Sequence, residues 1–483
     1  MREVKGFING EFVSSGEFGE VYSPVTGELV CNYHRTSVEQ VDQAVKAARA
    51  ALKGPWGTMP AQQRVDILYK IADGINARFD EFLAAECLDT GKPYSLASHI
   101  DIPRGAANFK VFADTIKNIA DEAFHTPTPD GTGALNYTVR KPKGVIGVIG
   151  PWNLPLLLMT WKVGPALACG DTVVVKPSEE TQLTASLLGE VMNDAGVPKG
   201  VYNVILGKGS QIGEALITNP GLDAITFTGS TQTGERIAAA ASVGVRDSSL
   251  ELGGKNAGIV FADCDMDKAL EGSLRSAFAN CGQVCLGTER LYVERSIFDE
   301  FVKRMKAGAE ALKLGRSEDP ETNMGPLISK SHREKVLSYY KAAVDEGATV
   351  VTGGGVPNMP EDLANGYWIE PTIWTGLPET ASVVQEEIFG PCVHICPFDT
   401  EQEAIELAND SPYGLASAIW TENMSKGHRV AAQMETGICW VNSWFLRDLR
   451  TPFGGSKQSG TGREGGHYSL EFYSELTNIC VKL

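Results

Sequence analysis

Gly144-Val-Ile-Gly-Val-Ile149, Thr172-Val-Val-Val-Lys176, Val201-Tyr-Asn-Val-Ile-Leu206, Ala224-Ile-Thr-Phe-Thr228 and Ser248-Leu-Glu-Leu252 are short apolar runs that follow one another along the chain. Segments with helical spacing separate them, at 156–169, 180–193, 211–218 and 231–241. Parallel strands need a crossover and a helix supplies it, so this alternation predicts an α/β fold with a parallel, doubly wound sheet. Such a sheet places its ligand in the crevice beyond the carboxyl ends of its strands. The loops that follow those ends are therefore where chemistry is to be sought.

Upstream, Phe7-Ile-Asn-Gly-Glu-Phe-Val13 alternates about Asn9-Gly10, a hairpin-turn pair. Helical stripes follow at 41–52, 64–87 and 102–118. Downstream, Ala257-Gly-Ile-Val-Phe261, a helical segment at 265–280 and Arg290-Leu-Tyr-Val-Glu294 open a second βα series that runs to about residue 445. Two alternating segments, Ala134-Leu-Asn-Tyr-Thr-Val-Arg140 and Leu476-Thr-Asn-Ile-Cys-Val-Lys-Leu483, belong to neither series and read as an arm that pairs with another subunit.

The 483 residues are 43% hydrophobic, 21% charged and 8% aromatic. That is the make-up of a soluble globular chain of two or three domains, not of a disordered or fibrous one. A formal charge of −17 disfavours nucleic acid and anionic membrane as partners. The start, Met1-Arg-Glu-Val-Lys-Gly6, lacks the apolar core of a signal peptide, and no apolar run reaches the length of a membrane span. Ten cysteines, scattered from Cys31 to Cys480, lack the dense spacing of a disulfide framework, so reduced thiols in a cytoplasm are the better reading. Seven histidines, none in a zinc-ligand pattern, point to chemistry done without a metal and without histidine.

Several strand-end and loop motifs have the residue types that chemistry needs. Gly207-Lys-Gly-Ser-Gln-Ile-Gly213 is one residue longer than the dinucleotide fingerprint; alone it fits a phosphate cradle or an ordinary glycine turn. Phe227-Thr-Gly-Ser-Thr-Gln-Thr-Gly234 ends a strand and opens a helix, where free N–H groups and the positive helix end favour a pyrophosphate. In Lys176-Pro-Ser-Glu179, Lys176 can donate to ribose or phosphate, and Glu179 can accept from ribose hydroxyls while repelling a 2′-phosphate. A solvated strand-end turn explains that tetrapeptide equally well. Glu251-Leu-Gly-Gly-Lys-Asn256 sets a carboxylate at a strand end, where burial would raise its pKa as a general base requires; a salt-bridged glutamate is the alternative. Cys285 stands in a glycine-bearing loop after a helix, in Phe278-Ala-Asn-Cys-Gly-Gln-Val-Cys285-Leu-Gly287, a suitable place for a nucleophilic thiolate. Most cysteines are instead small buried hydrophobes, the role assigned to Cys281, read as still on the helix.

Pro151-Trp-Asn153-Leu-Pro155, Lys176-Pro-Ser-Glu179, Phe227-Thr-Gly-Ser230, Leu250-Glu-Leu-Gly-Gly-Lys-Asn256, Gly282-Gln-Val-Cys285, Glu386-Glu-Ile-Phe-Gly-Pro391 and Pro452-Phe-Gly-Gly455 occur in this order. Together they resemble the NAD(P)-dependent aldehyde dehydrogenase superfamily over essentially the whole chain. The resemblance implies a homodimer or homotetramer that uses NAD and no metal. It implies a cofactor-binding domain at 1–120 and 141–252, a catalytic domain at 253–445, a bridging arm at 121–140 and 470–483, and a return segment at 446–469. It further implies Cys285 as nucleophile, Glu251 as general base, and Asn153 with the Cys285 backbone N–H as oxyanion hole. Trp152, Lys176, Ser178, Glu179, Gly209, Gly213, Phe227, Gly229, Ser230 and Leu252 would bind the cofactor. Glu387 and Phe389 would hold its nicotinamide ribose and ring edge.

The stretches around Arg104 and Arg447 resemble, more narrowly, members of the superfamily that oxidise unsaturated semialdehydes carrying a remote carboxylate and a 2-hydroxy or 2-amino group. In that subgroup the residues matching Arg104 and Arg447 grip the carboxylate, whose planar shape suits a guanidinium fork. Read without the resemblance, Arg104 is better explained as a helix-surface arginine. Leu158, Trp161 and Trp444 would line the apolar midsection. Glu251 favours release of the acyl group to water over transfer to coenzyme A, and the joint presence of Cys285 and Glu251 argues against a catalytically silent relative.

Overall fold

The structure, a computed structural model, describes residues 2–483. Its first sheet is built on β1 (Val145–Ile149), β2 (Thr172–Lys176), β3 (Tyr202–Val204), β4 (Ala224–Thr228) and β5 (Asp247–Glu251). They lie parallel in the order β5-β4-β1-β2-β3. β1, β2 and β4 are buried along their whole length, which is why they read as unbroken apolar runs. The chain moves from β1 outward through β2 and β3, then returns to the other side of β1 at β4. Strand order reverses there, and Ile149 and Phe227 stand opposite each other at the mouth of the resulting crevice. Antiparallel strands close both edges: the hairpin Gly6–Ile8 and Glu11–Val13 beside β3, and Gly460–Thr461 beside β5. Asn9 and Gly10 take φ of 54° and 81°, as a two-residue hairpin turn requires.

α1 (Asp101–Lys117) packs against α2 (Pro155–Cys169), which follows β1 and is buried on every side. α3 (Thr231–Ser242) follows β4 and is capped by Ser230, whose hydroxyl accepts from the Thr233 N–H. The second sheet comprises β6 (Asn256–Val260), β7 (Thr288–Glu294), β8 (Thr372–Thr375), β9 (Cys392–Phe398), β10 (Ala416–Trp420) and β11 (Ile438–Val441). These are parallel in the order β8-β9-β7-β6-β10-β11, with Thr349–Thr352 antiparallel beside β8. α4 (Met266–Phe278) crosses from β6 toward β7. A third, antiparallel sheet stands apart: Ser474–Lys482 pairs with Ala134–Pro142, which pairs in turn with Ala123–Thr126. Among the described residues no helix is long and apolar enough to cross a membrane.

The stripe at 64–87 is two helices, Ala61–Ala77 and Phe79–Thr90. Arg78 leaves helical geometry between them (φ −110°, ψ 28°), and its guanidinium bonds both Glu81 and Glu190. Apolar spacing continues across the break, so periodicity does not register it. Cys281 is not on a helix: α4 ends at Phe278, and Asn280 and Cys281 form a left-handed turn with φ of 52° and 57°. The turn lets Gly282 pack on Gly390, whose carbonyl oxygen a Cβ would meet at 2.0 Å. Cys281 is nonetheless buried.

Candidate active site

Side-chain amides hold the loop that carries Cys285. Asn256, the first residue of β6, donates from Nδ2 to the carbonyls of Cys285 and Gly287, both at 2.7 Å, while its Oδ1 accepts from the Ala416 N–H at 2.9 Å. Gln283 accepts from the Ile328 N–H at 2.9 Å and donates to the Asn280 carbonyl at 3.0 Å. Asn153, between β1 and α2, donates to the Gln283 carbonyl at 3.0 Å, and Asn280 donates to the Asn153 carbonyl at 3.1 Å. The loop after β1 is thereby locked to the loop of Cys285. One Asn153 amide hydrogen is used in that lock, leaving the second for a ligand. No backbone carbonyl among the described residues takes the Cys285 backbone N–H.

Cys285 is half-buried, and burial with the charges of Glu251 and Glu387 pushes its thiol up to about 12. The resting sulfur is therefore a thiol that needs help to ionise. Glu251, at the end of β5, is 4% exposed and its Oε1 has no hydrogen-bond partner among the described residues. Burial and the Glu464 carboxylate hold Glu251 well above the usual carboxylate range, against the opposing pull of Lys162. Glu464 pairs with Lys162 at 2.7 Å and accepts from the Ser249 hydroxyl at 3.2 Å. A carboxyl raised in this way has the proton affinity of a general base. The side chain rests beside Gly454, where a Cβ would come within 3.2 Å of its Oε1.

A narrow cavity beside Cys285 is walled by apolar side chains from α2 and by Trp440, Phe445 and Phe453. Its charged lining residues are Arg104, from α1, and Arg447. Arg104 Nε and Arg447 Nε and Nη2 are buried without a hydrogen-bond partner among the described residues. Two such cations between apolar walls are costly unless an anion joins them. Burial, then the neighbouring Arg104 charge, pushes Arg447 down to about 9, while Glu251 opposes the shift.

Leu158 lines this cavity, but Trp161 and Trp444 stand behind it. Trp161 lies against the Arg447 guanidinium, and Trp444 packs on Phe445 with ring centres 5.0 Å apart. The indole N–H of Trp444 is turned to the Leu286 carbonyl at 2.9 Å. Phe445 takes a φ of 65°, which reverses the chain and brings its ring to the wall in place of its neighbour's.

A larger cleft of about 670 Å³ opens where strand order reverses between β1 and β4. Trp152, Lys176, Ser178, Glu179, Gly209, Gly213, Phe227, Gly229 and Ser230 all line it. Lys176 is buried, donates to the Pro177 carbonyl at 2.8 Å and lies 3.7 Å from Glu179. Space is open where a Cβ on Gly209 would stand, and the first turn of α3 lies along the cleft with its free N–H groups. These features fit a dinucleotide. Leu252 is not in the lining; it packs under Gly234 of α3, where a Cβ would meet it at 2.4 Å. Glu387 accepts from the Gly254 N–H at 2.9 Å, and a Cβ on Gly253 would strike its carboxylate at 2.5 Å, so both glycines after Glu251 and Leu252 serve this contact. Burial and Glu289 push Glu387 up to about 7. Phe389 meets Trp152 edge-on at 5.4 Å.

Sequence reasoning missed Glu289 and His332. Glu289 accepts from the N–H groups of Ile388 and Phe389 at 3.1 and 2.9 Å, and the Phe389 carbonyl lies 2.8 Å from His332 Nε2. Neither has a local signal, because what each holds is distant in the chain. Asn256 and Gln283 sat inside quoted motifs, where amides beside loop glycines could have marked them. Among the described residues no disulfide joins the cysteines, and no group of three or more His, Cys, Asp or Glu side chains is placed to hold a metal ion.

The pattern of the aldehyde dehydrogenase family matches residues 12–479, and the chain belongs to that family. It is 71% identical to 2-hydroxymuconic semialdehyde dehydrogenase of Pseudomonas sp. (strain CF600), over 100% of both chains. It is 54% identical to 2-aminomuconic 6-semialdehyde dehydrogenase of a Pseudomonas species, over 100% of this chain and 99% of that one. The solved NAD+ complex of aldehyde dehydrogenase from Bacillus cereus superposes with a TM-score of 0.96 at 40% identity, over 100% of this chain and 97% of that one.

Proposed function

We propose that this chain oxidises 2-hydroxymuconate 6-semialdehyde to 2-hydroxymuconate with NAD, in the meta-cleavage degradation of aromatic compounds. One observation carries the substrate class: two guanidiniums with unpartnered buried nitrogens share an apolar cavity with Cys285. They suit a carboxylate at the far end of an unsaturated aldehyde. The 2-amino analogue has the same two ends, and the higher identity to the 2-hydroxy enzyme favours the hydroxy substrate.

The Cys285 thiol gives up its proton to water, the thiolate adds to the aldehyde carbon, and the oxyanion so formed lies between the Asn153 amide and the Cys285 N–H. One such donor is worth about 3 kcal/mol in the transition state. NAD, when bound, would supply the acceptor for the hydride that this adduct gives up in becoming a thioester. Glu251 then takes a proton from water as the water adds to the thioester carbonyl. Collapse releases the carboxylate product and restores the Cys285 thiolate. Lys176, Ser178, Glu179 and the glycines of the cleft hold ribose and phosphates, and the negative charge of Glu179 favours NAD over NADP. Trp152, Phe389 and Glu387 hold the nicotinamide end, and Leu252 supports the cleft from beneath α3.

In this reading residues 1–120 and 141–252 bind the cofactor, 253–445 carry the nucleophile, and 446–469 return to the first sheet. The third sheet, from 121–140 and 470–483, bridges copies of the chain into a dimer or tetramer; exposed Phe124, Leu476 and Val481 support this. Ten cysteines with no disulfide among the described residues suit a cytoplasmic location.

Mixing the protein with NAD and enzymatically prepared semialdehyde is expected to yield NADH without coenzyme A. Turnover that appears only on adding coenzyme A would defeat the hydrolytic assignment. Arg447→Ala is expected to raise KM for the semialdehyde by roughly 30- to 100-fold, with a far smaller change for propanal. Equal losses on the two aldehydes would sink the clamp.

A further inference from the structure

Arg447 reaches the cavity between two aromatic rings. Its Cζ lies 4.3 Å from the centre of the Trp161 ring and 3.8 Å from that of Phe453. Both rings are buried; Trp161 belongs to α2, and Phe453 to the segment returning to the first sheet. The Trp161 indole N–H has no hydrogen-bond partner among the described residues, so what this residue offers Arg447 is its face. Arg447 Nε and Nη2 are likewise without partners. A flexible arginine is commonly oriented by a carboxylate, which here would consume the charge that a substrate needs. Ring faces avoid this: their quadrupole attracts the cation and offsets lost hydration, while the N–H edge stays free.

The geometry points to Trp161 and Phe453 as specificity-determining positioning residues, which sandwich Arg447 so that an uncommitted guanidinium edge awaits the substrate carboxylate. This rests on the carboxylate-clamp reading above. Trp161 stands behind the cavity and acts through Arg447, whereas Phe453 also forms part of the wall, so Trp161 gives the cleaner test. The support is needed because burial and Arg104 both weaken the hold of Arg447 on its proton.

Trp161→Leu, Trp161→Phe and Arg447→Ala are compared in two assays. The first is steady-state kinetics with the semialdehyde and with propanal. The second, without cofactor, is the ratio of Cys285 alkylation rates by iodoacetate and by iodoacetamide. These reagents differ in charge, and any change in thiol ionisation cancels in the ratio. Trp161→Leu is expected to raise KM for the semialdehyde about tenfold or more with little change in kcat, and to lower the alkylation ratio in the same direction as Arg447→Ala. Trp161→Phe, which keeps a ring face, should recover most of both effects. The proposal is overturned if Trp161→Leu weakens both aldehydes alike, leaves the alkylation ratio unchanged, or is not improved upon by Trp161→Phe. If Arg447→Ala shifts both readouts and Trp161→Leu shifts neither, the clamp stands and the sandwich falls. If Arg447→Ala shifts neither, the clamp itself fails and the sandwich with it. Should Trp161→Leu not fold, Phe453→Leu is read by the same two contrasts.

Discussion

Cys285→Ala is expected to abolish aldehyde oxidation, with kcat lower by on the order of 10⁵-fold or more. The substitution removes one sulfur from a half-buried side chain and leaves the loop intact. What holds that loop is the bonding of Asn256 to the carbonyls of Cys285 and Gly287, which alanine retains. No second thiol can stand in: Cys281 is buried in the left-handed turn, and neither it nor any other cysteine lines the cavity. An unchanged melting temperature and retained NAD binding, beside absent NADH formation, are the matching controls. NADH produced at more than about a hundredth of the parent rate would place the nucleophile elsewhere.

Glu251→Gln is expected to split the reaction in two. The thioester still forms, so rapid mixing should show about one NADH per active site, followed by a steady rate lower by roughly 10³-fold. Mass spectrometry of the quenched enzyme should find the acyl group on Cys285. In the parent enzyme kcat is expected to rise with pH as Glu251 loses its proton. That limb lies above the ordinary carboxylate range, because burial and Glu464 disfavour the ionised form. Glutamine does not titrate, so the limb should disappear. Steady turnover at the parent rate, or a limb that persists unchanged, would remove Glu251 from the role of base.

Recognition of an anionic substrate by a chain of charge −17 has to be local, since exposed charges more than about 10 Å apart are largely screened at ordinary salt. Arg104, Arg447 and Lys176 are buried or half-buried, where screening is weak. On the proposed clamp, an acidic protein selects a carboxylate without long-range attraction.

The sequence alone determined the alternation of strand and helix in the first sheet. A strand buried on both faces is an apolar run, and a crossover helix must separate parallel neighbours. It also marked Cys285 and Glu251 as candidates, because each follows a strand or helix end and has glycines beside it, whereas Asn153 came only from the family resemblance. Tertiary structure alone decided which aromatic rings line the cavity beside Cys285. Trp161 and Trp444 have the composition of a pocket wall, but the left-handed Phe445 and the stacking of Arg447 place them behind it. It decided the break at Arg78, since hydrophobic spacing is blind to a change of helix axis. Only the fold brought Glu289 and His332 to Phe389, and Trp161 to Arg447. Those contacts join segments that share no local pattern, so their energy exists only once both sheets have formed.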